Sequence, residues 1–276
     1  MTPRTRAFLA VCAVAVLCPA PAAAQSELER ARVFYNQGQF DEAIASATAA
    51  KARPSAVPSA TLIAARARLE RFRSADDATD LALARSELIS LNPRSLSPNE
   101  TIEWQIGLGS ALLLDQQVGP AAEMFGAVLP SARAVLPAAE YDKLVEWWAS
   151  TLSRVAEGIQ LPAARKEAYS AMQAQVRDEL ERNPLSRPAT YWSAVAARGA
   201  GDFDAAWNRS IAGWIRAGNE PEGRQLRVDL DRFVTQTLIP ERAQSRTGQR
   251  LDAKATTSEA ASMTEEWKAV TAKWNH

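Results

Sequence analysis

The side chains that most often carry out reactions are scarce in this chain. Its one histidine is His276, at the end of the sequence. A Ser-His-Asp or Cys-His device needs an imidazole held inside a fold, so none is expected. The two cysteines, Cys12 and Cys18, both lie near the start. A zinc site of the usual type wants several His or Cys ligands and has none to draw on. Asp76, Asp77 and Asp80 come closest to a cation loop. They lack the alternating acids and the glycine of a calcium loop, and they read better as a helix start, where the macrodipole favours acids. Gly107-Leu108-Gly109 and Gly199-Ala200-Gly201 look like fragments of a phosphate loop. Neither follows a strand, and neither extends to a complete nucleotide motif. No cofactor or metal is expected, and the chain reads as non-catalytic.

Two features keep some chemistry open. Carboxylates are spread over the whole chain, and a pair of them could hydrolyse a glycosidic bond. No pair stands out from acids that read as solvated helix faces. The tryptophans are more distinctive: Trp104, Trp147, Trp148, Trp192, Trp207, Trp214, Trp267 and Trp274. Most fall on apolar stripes, as Trp207, Ile211 and Trp214 do. Trp147 does not. It shares its face with Glu140, Lys143, Thr151 and Arg154, which suits either a second packing surface or an aromatic anchor for a ligand.

These groups must be positioned by helices. Tyr141, Leu144, Val145, Trp148, Leu152 and Val155 recur at helical spacing, as do Tyr169, Met172, Val176 and Leu180, and Leu226, Leu230, Phe233 and Leu238. No alternating β-branched run argues for a sheet. Prolines at 54, 58, 93, 130, 137, 184, 188 and 240 read as helix ends. The expected helices are 26–37, 41–52, 59–73, 76–91, 99–115, 119–129, 138–157, 162–182, 188–199, 203–217, 223–239 and 258–274.

The first 24 residues read as a cleaved secretory signal. Arg4 and Arg6 precede an apolar run from Ala7 to Leu17, and Ala22-Ala23-Ala24 offers a cleavage site before Gln25. The run is too short to span a bilayer. Val11 and Leu17 stand where a lipidation signal wants a small residue. An exported, periplasmic or secreted chain of about 252 residues without cysteine is expected. Its charge becomes 30 basic against 32 acidic residues, since only Arg4 and Arg6 leave with the signal. Such a balance gives no electrostatic reason to seek nucleic acid or an acidic membrane surface.

The chain also repeats itself. From Ala31, steps of 3, 7, 9, 12, 16 and 19 reach Phe34, Gly38, Phe40, Ala43, Ala47 and Ala50. From Ala194 the same steps reach Ala197, Gly201, Phe203, Ala206, Ser210 and Gly213. From Gly109 they reach Leu112, Gln116, Val118, Ala121, Phe125 and Val128. A fourth copy runs from Leu69 to Leu88, with Arg85 at a packing step. Small residues would sit at helix crossings, and Gly38 and Gly201 would take positive φ in the turns. The pattern resembles the tetratricopeptide repeat, most closely in Tyr35 to Ile44 and Gly201 to Trp207. The starts lie 38, 40 and 85 residues apart, against a family period of about 34, so the repeats are divergent.

The resemblance implies an all-α, right-handed solenoid of antiparallel helix pairs over 25–240. It also implies a concave face lined by the first helix of each pair. Carried over by position, that face would present Leu28, Arg32, Tyr35 and Asn36, then Glu103, Ile106, Ser110 and Leu113, then Tyr191, Val195 and Arg198. The Lys and Asn pairs with which some members clamp a peptide carboxylate are missing. Residues 241–257 read as a polar linker. Ala260, Met263, Trp267, Val270 and Trp274 then form one stripe of an amphipathic helix at 258–276, capped by Ser258. It is expected to dock through Trp267 and Trp274, as a cap on the array or against a partner. The expected function is an envelope scaffold or adaptor that binds a protein or peptide. A glycan-acting envelope protein and a permanent subunit of an envelope complex are the alternatives.

Overall fold

A computed structural model describes residues 26–218, 220–248 and 253–275, and these are helical with no strand among them. The signal and its cleavage site lie outside the described residues. In chain order the helices are α1 (Glu27–Asn36), α2 (Phe40–Ala50), α3 (Val57–Ala75), α4 (Ala78–Ser90), α5 (Pro98–Leu114), α6 (Val118–Ala132) and α7 (Ala138–Gly158). There follow α8 (Pro162–Arg182), α9 (Arg187–Gly199), α10 (Phe203–Ala217), α11 (Pro221–Phe233), α12 (Ile239–Thr247) and α13 (Ala253–Lys273). Ser26 and Ser97 start α1 and α5 with complete capping boxes. Asp77, Ser186 and Asp202 cap α4, α9 and α10 through their side chains. Pro58 and Pro188, read as stops, sit in the first turns of α3 and α9, where the missing N–H has no partner to lose. Pro130 is different. It lies inside α6, which continues two residues past it to Ala132. With no N–H it cannot donate to the Gly126 carbonyl one turn back, and the helix ends within a turn of it.

Each helix packs on the next from α1 to α11, and α1 also meets α3, α3 meets α5, α7 meets α9 and α9 meets α11. The contacts depend on small residues. Ala31, Ala43, Ala47, Ala60 and Ala64 are fully buried between α1, α2 and α3. A Cβ added at Gly109 on α5 would lie 2.7 Å from the Phe125 ring of α6. One added at Gly213 on α10 would lie 2.8 Å from Thr190 of α9. Gly107 and Gly109 are therefore packing residues within a helix, not parts of a loop.

The turns match at the positions that the repeated spacing aligns. Gly38 and Gly201 have φ of 74° and 81°, and Gln116 and Asp76, at the same step in their copies, have 60° and 55°. At three of the turns the hydrogen bonds also coincide. Gln39, Gln117 and Asp202 donate their amides to Phe34, Leu112 and Ala197 at 2.8–2.9 Å. Gly38, Gln116 and Gly201 donate to Tyr35, Leu113 and Arg198. These are two-bond left-handed helix ends.

The C-terminal segment departs from the expected linker. Past α11 the chain widens into a π-turn at Val234–Leu238 and continues as α12, with Pro240 in its first turn. Residues 241–247 are helical, and their charged side chains are paired. Arg242 and Arg246 both reach Asp204, and Arg246 also reaches Glu259. Residues 249–252 lie outside the described residues. The last helix starts at Ala253, so Ser258 is an interior residue, not a cap. It docks on α10 and α12. Trp267 is 1% exposed. Its ring centroid lies 5.9 Å from Trp207 and 5.5 Å from Trp214, and its indole N–H donates to Asp231 at 2.8 Å. Trp274, just beyond the helix, is 45% exposed, so the docking rests on Met263 and Trp267 instead.

Two outcomes follow for stability. An added side chain at Gly38 or Gly201 meets nothing within 4 Å, so only the backbone resists it. Gly38→Val and Gly201→Val are each expected to lose about 1–3 kcal/mol in denaturant titration. Gln116→Gly, at the equivalent turn, is expected to gain about 1 kcal/mol. A gain for the valine variants or a loss for Gln116→Gly would remove the common turn. Trp267→Ala is expected to cost about 3–5 kcal/mol, and an unchanged midpoint would show that α13 does not stabilise the helices beneath it.

Candidate functional site

Two cavities meet at Trp147. The first, of about 480 Å³, is lined from α1 by Tyr35 and Asn36, from α3 by Arg66, Glu70 and Arg73, from α5 by Ile106, and from α7 by Glu140, Lys143, Leu144 and Trp147. The second, of about 550 Å³, is lined from α7 by Asp142, Lys143, Glu146 and Trp147, from α9 by Arg187, Tyr191 and Trp192, and from α11 by Glu222, Gln225, Leu226 and Asp229. Lys143 and Trp147 belong to both. Apart from Gly38, Phe40 and Leu136 at the edge of the first, every lining residue comes from α1, α3, α5, α7, α9 or α11.

The first cavity has a well-paired floor. Arg66 binds Glu103 at 2.5 Å and covers the Tyr35 ring, with its guanidinium carbon 4.5 Å from the centroid. Arg73 lies 4.5 Å over the Trp147 ring and pairs with Glu70. Burial pushes the Tyr35 hydroxyl above its ordinary value. Arg66 and Arg73 each have an anionic and an aromatic partner within the protein.

The second cavity is less balanced. Glu146 accepts the Trp192 indole N–H at 2.7 Å. Burial raises its carboxyl pKa, the indole lowers it, and Asp229 on the facing helix raises it again. Asp142 is likewise raised by burial and accepts a hydrogen bond from Ser186 at 3.1 Å. Among the described residues no lysine or arginine forms an ion pair with Asp142, Glu146 or Glu222; Asp229 has a long contact of 3.8 Å to Arg232. Tyr191 is held edge-on against Trp192 and Phe233, at 5.3 and 6.0 Å between centroids.

Of the residues singled out from the sequence, Tyr35, Asn36, Trp147 and Tyr191 line these cavities. Arg32 does not. It is exposed and pairs with Glu100 on α5 at 2.7 Å. Arg198 is engaged internally, donating to Glu241 of α12 at 2.6 Å. Trp267 is buried beneath α13 and has no surface to offer a partner. The acids of the second cavity were not among the sequence candidates. Asp142, Glu146 and Asp229 recur at a helix period on α7 and α11 like many other acids, and only the packing of α9 between those helices gathers them.

Among the described residues no group of three or more His, Cys, Asp or Glu side chains is arranged to hold a metal ion. None of the described helices is long and apolar enough to cross a membrane. No protein family, curated protein or solved structure matches the chain.

A carboxyl whose pKa is raised by folding favours its protonated form in the native state. Glu146 therefore costs nothing well below the ordinary carboxylate range, and its penalty grows as pH rises through the folded pKa. Gln keeps the acceptor for Trp192 and removes the charge. Glu146→Gln is expected to raise the melting temperature at pH 7 and to converge with the parent protein toward pH 3. A lower midpoint at pH 7 would mean that a cation inside the protein already compensates Glu146.

Proposed function

We propose that the chain is an exported, non-catalytic adaptor of the cell envelope. Its helices form a divergent tetratricopeptide-like solenoid of antiparallel pairs, and the inner face of that solenoid binds a protein or peptide. The main support is the lining of the two cavities. They draw on every second helix from α1 to α11 and join through Lys143 and Trp147. A continuous surface made by alternate helices is what a stack of pairs produces when the first helix of each pair turns inward. The four left-handed turn residues at equivalent steps, Gly38, Asp76, Gln116 and Gly201, support the same repeat.

Trp147 would be the central anchor. Its ring is fixed by Phe125, 6.0 Å away, and by Arg73, yet it borders open volume on two sides. Rigid, partly buried aromatics of this kind dominate binding energy at interfaces. The described chain offers no imidazole or thiol for covalent or metal chemistry in these cavities.

Photo-crosslinking in living cells tests the assignment. A benzophenone amino acid at Lys143, which borders both cavities, is expected to form a discrete adduct, on a chain that begins at or near Gln25. The same group at Lys166, exposed on α8, is expected to form none. Trp147→Ala is expected to weaken capture at least tenfold, in line with the loss of an interface anchor. Adducts from Lys166 but not Lys143 would place the partner on the opposite face.

A further inference from the structure

The cavity between α7, α9 and α11 has a charge pattern that selects an occupant. Asp142, Glu146, Glu222 and Asp229 line it against Lys143 and Arg187, four anions to two cations. Glu146 and Glu222 have no ion pair among the described residues, Asp142 has none in contact though the Arg187 charge acts on it, and Glu146 and Asp229 face each other from α7 and α11. Asp142, Glu146 and Asp229 are half-buried, while Glu222 is exposed. Half-buried like charges are relieved when a cation enters, through charge-assisted hydrogen bonds. The walls are aromatic and apolar where the acids are not, with Tyr191, Trp147 and Leu226. Such walls suit the methylene stem of a long basic side chain, and aromatic rings also attract its head. The protein itself shows the pairing, since the Arg73 guanidinium lies 4.5 Å over the Trp147 ring.

We infer that this cavity is the specificity pocket of the inner face and takes a lysine or arginine side chain from a basic segment of the partner protein. The inference rests on the inner face being the partner-binding surface. It narrows that surface to one chemistry. A peptide carboxylate is disfavoured by the same four acids. The chain's own C-terminal helix is not the occupant, because α13 is seated on α10 and α12.

Selection of 12-residue peptides displayed on phage against the immobilised full chain tests this without a known partner. Peptides enriched in Lys or Arg are expected. Their affinity, measured by fluorescence anisotropy with the synthetic peptides, is expected to fall at least tenfold for the double variant Glu146→Gln/Asp229→Asn. The control Glu167→Gln/Glu181→Gln removes the same charge from exposed positions on α8 and is expected to leave affinity within twofold. Replacing the selected Lys or Arg by norleucine is expected to reproduce the loss. Equal losses in both double variants would reduce the effect to net charge and overturn the inference. Selected peptides without a basic residue, whose binding still depends on Trp147 or Tyr191, would overturn the inference and leave the inner face as the binding surface. Peptides indifferent to every cavity substitution would remove both.

Discussion

Close approach between helices through small side chains is the constraint on which the architecture depends. Ala31, Ala43, Ala47, Ala60 and Ala64 bury completely, yet each contributes only a methyl group to the core. Their value lies in letting backbones come near enough for larger neighbours to interlock. Phe125 occupies the space a side chain at Gly109 would need, and Tyr169 does the same at Gly199. With no disulfide among the described residues, stability must come from this interdigitation and from ion pairs that cross helices. Arg71 joins Asp41 on α2 to Asp80 on α4, and Arg133 joins α6 to Glu179 on α8. Tyr141, which also donates to Glu179, has its hydroxyl pushed up to about 12 by burial.

Much of the helical order was legible because its signals are local. Proline positions and apolar periodicity each act within one or two turns of chain. The left-handed turns were legible at Gly38 and Gly201, where glycine announces them. At Gln116 and Asp76 only the repeated spacing pointed to the same conformation, since neither residue type requires it. Asp tolerates positive φ better than Gln, which makes Gln116 the strained member of the set.

What the sequence concealed is mostly polar. Residues 241–247 look like a linker because they offer little apolar surface. They fold because Glu241, Arg242 and Arg246 find Arg198, Asp204 and Glu259 on other helices. A composition rule counts such residues as solvated, and no local pattern reveals a partner some forty positions away. The same limit hid the acids around Glu146. It also misjudged Arg198, which was expected at an open face and is held by Glu241. Long-range pairing is set by tertiary packing, so it decides which charges remain available.

That distinction separates the two cavities in physical terms. Around Tyr35 the charges close on one another: Arg66 with Glu103, Arg73 with Glu70 and with the Trp147 ring. The two arginines of that floor are thereby engaged, and there it mainly supplies shape. Around Glu146 the acids are partly desolvated by α9 and α11 and outnumber the two cations, Lys143 and Arg187, that line the same cavity. Burying a carboxylate beside another carboxylate is unfavourable, and folding alone gains nothing from it. The helices tolerate the arrangement because Trp192 supplies one hydrogen bond and because the cavity stays open to water. Were a basic side chain to enter as proposed, an arrangement that costs stability in the free protein would be relieved from outside, and that cost would become selectivity for what enters.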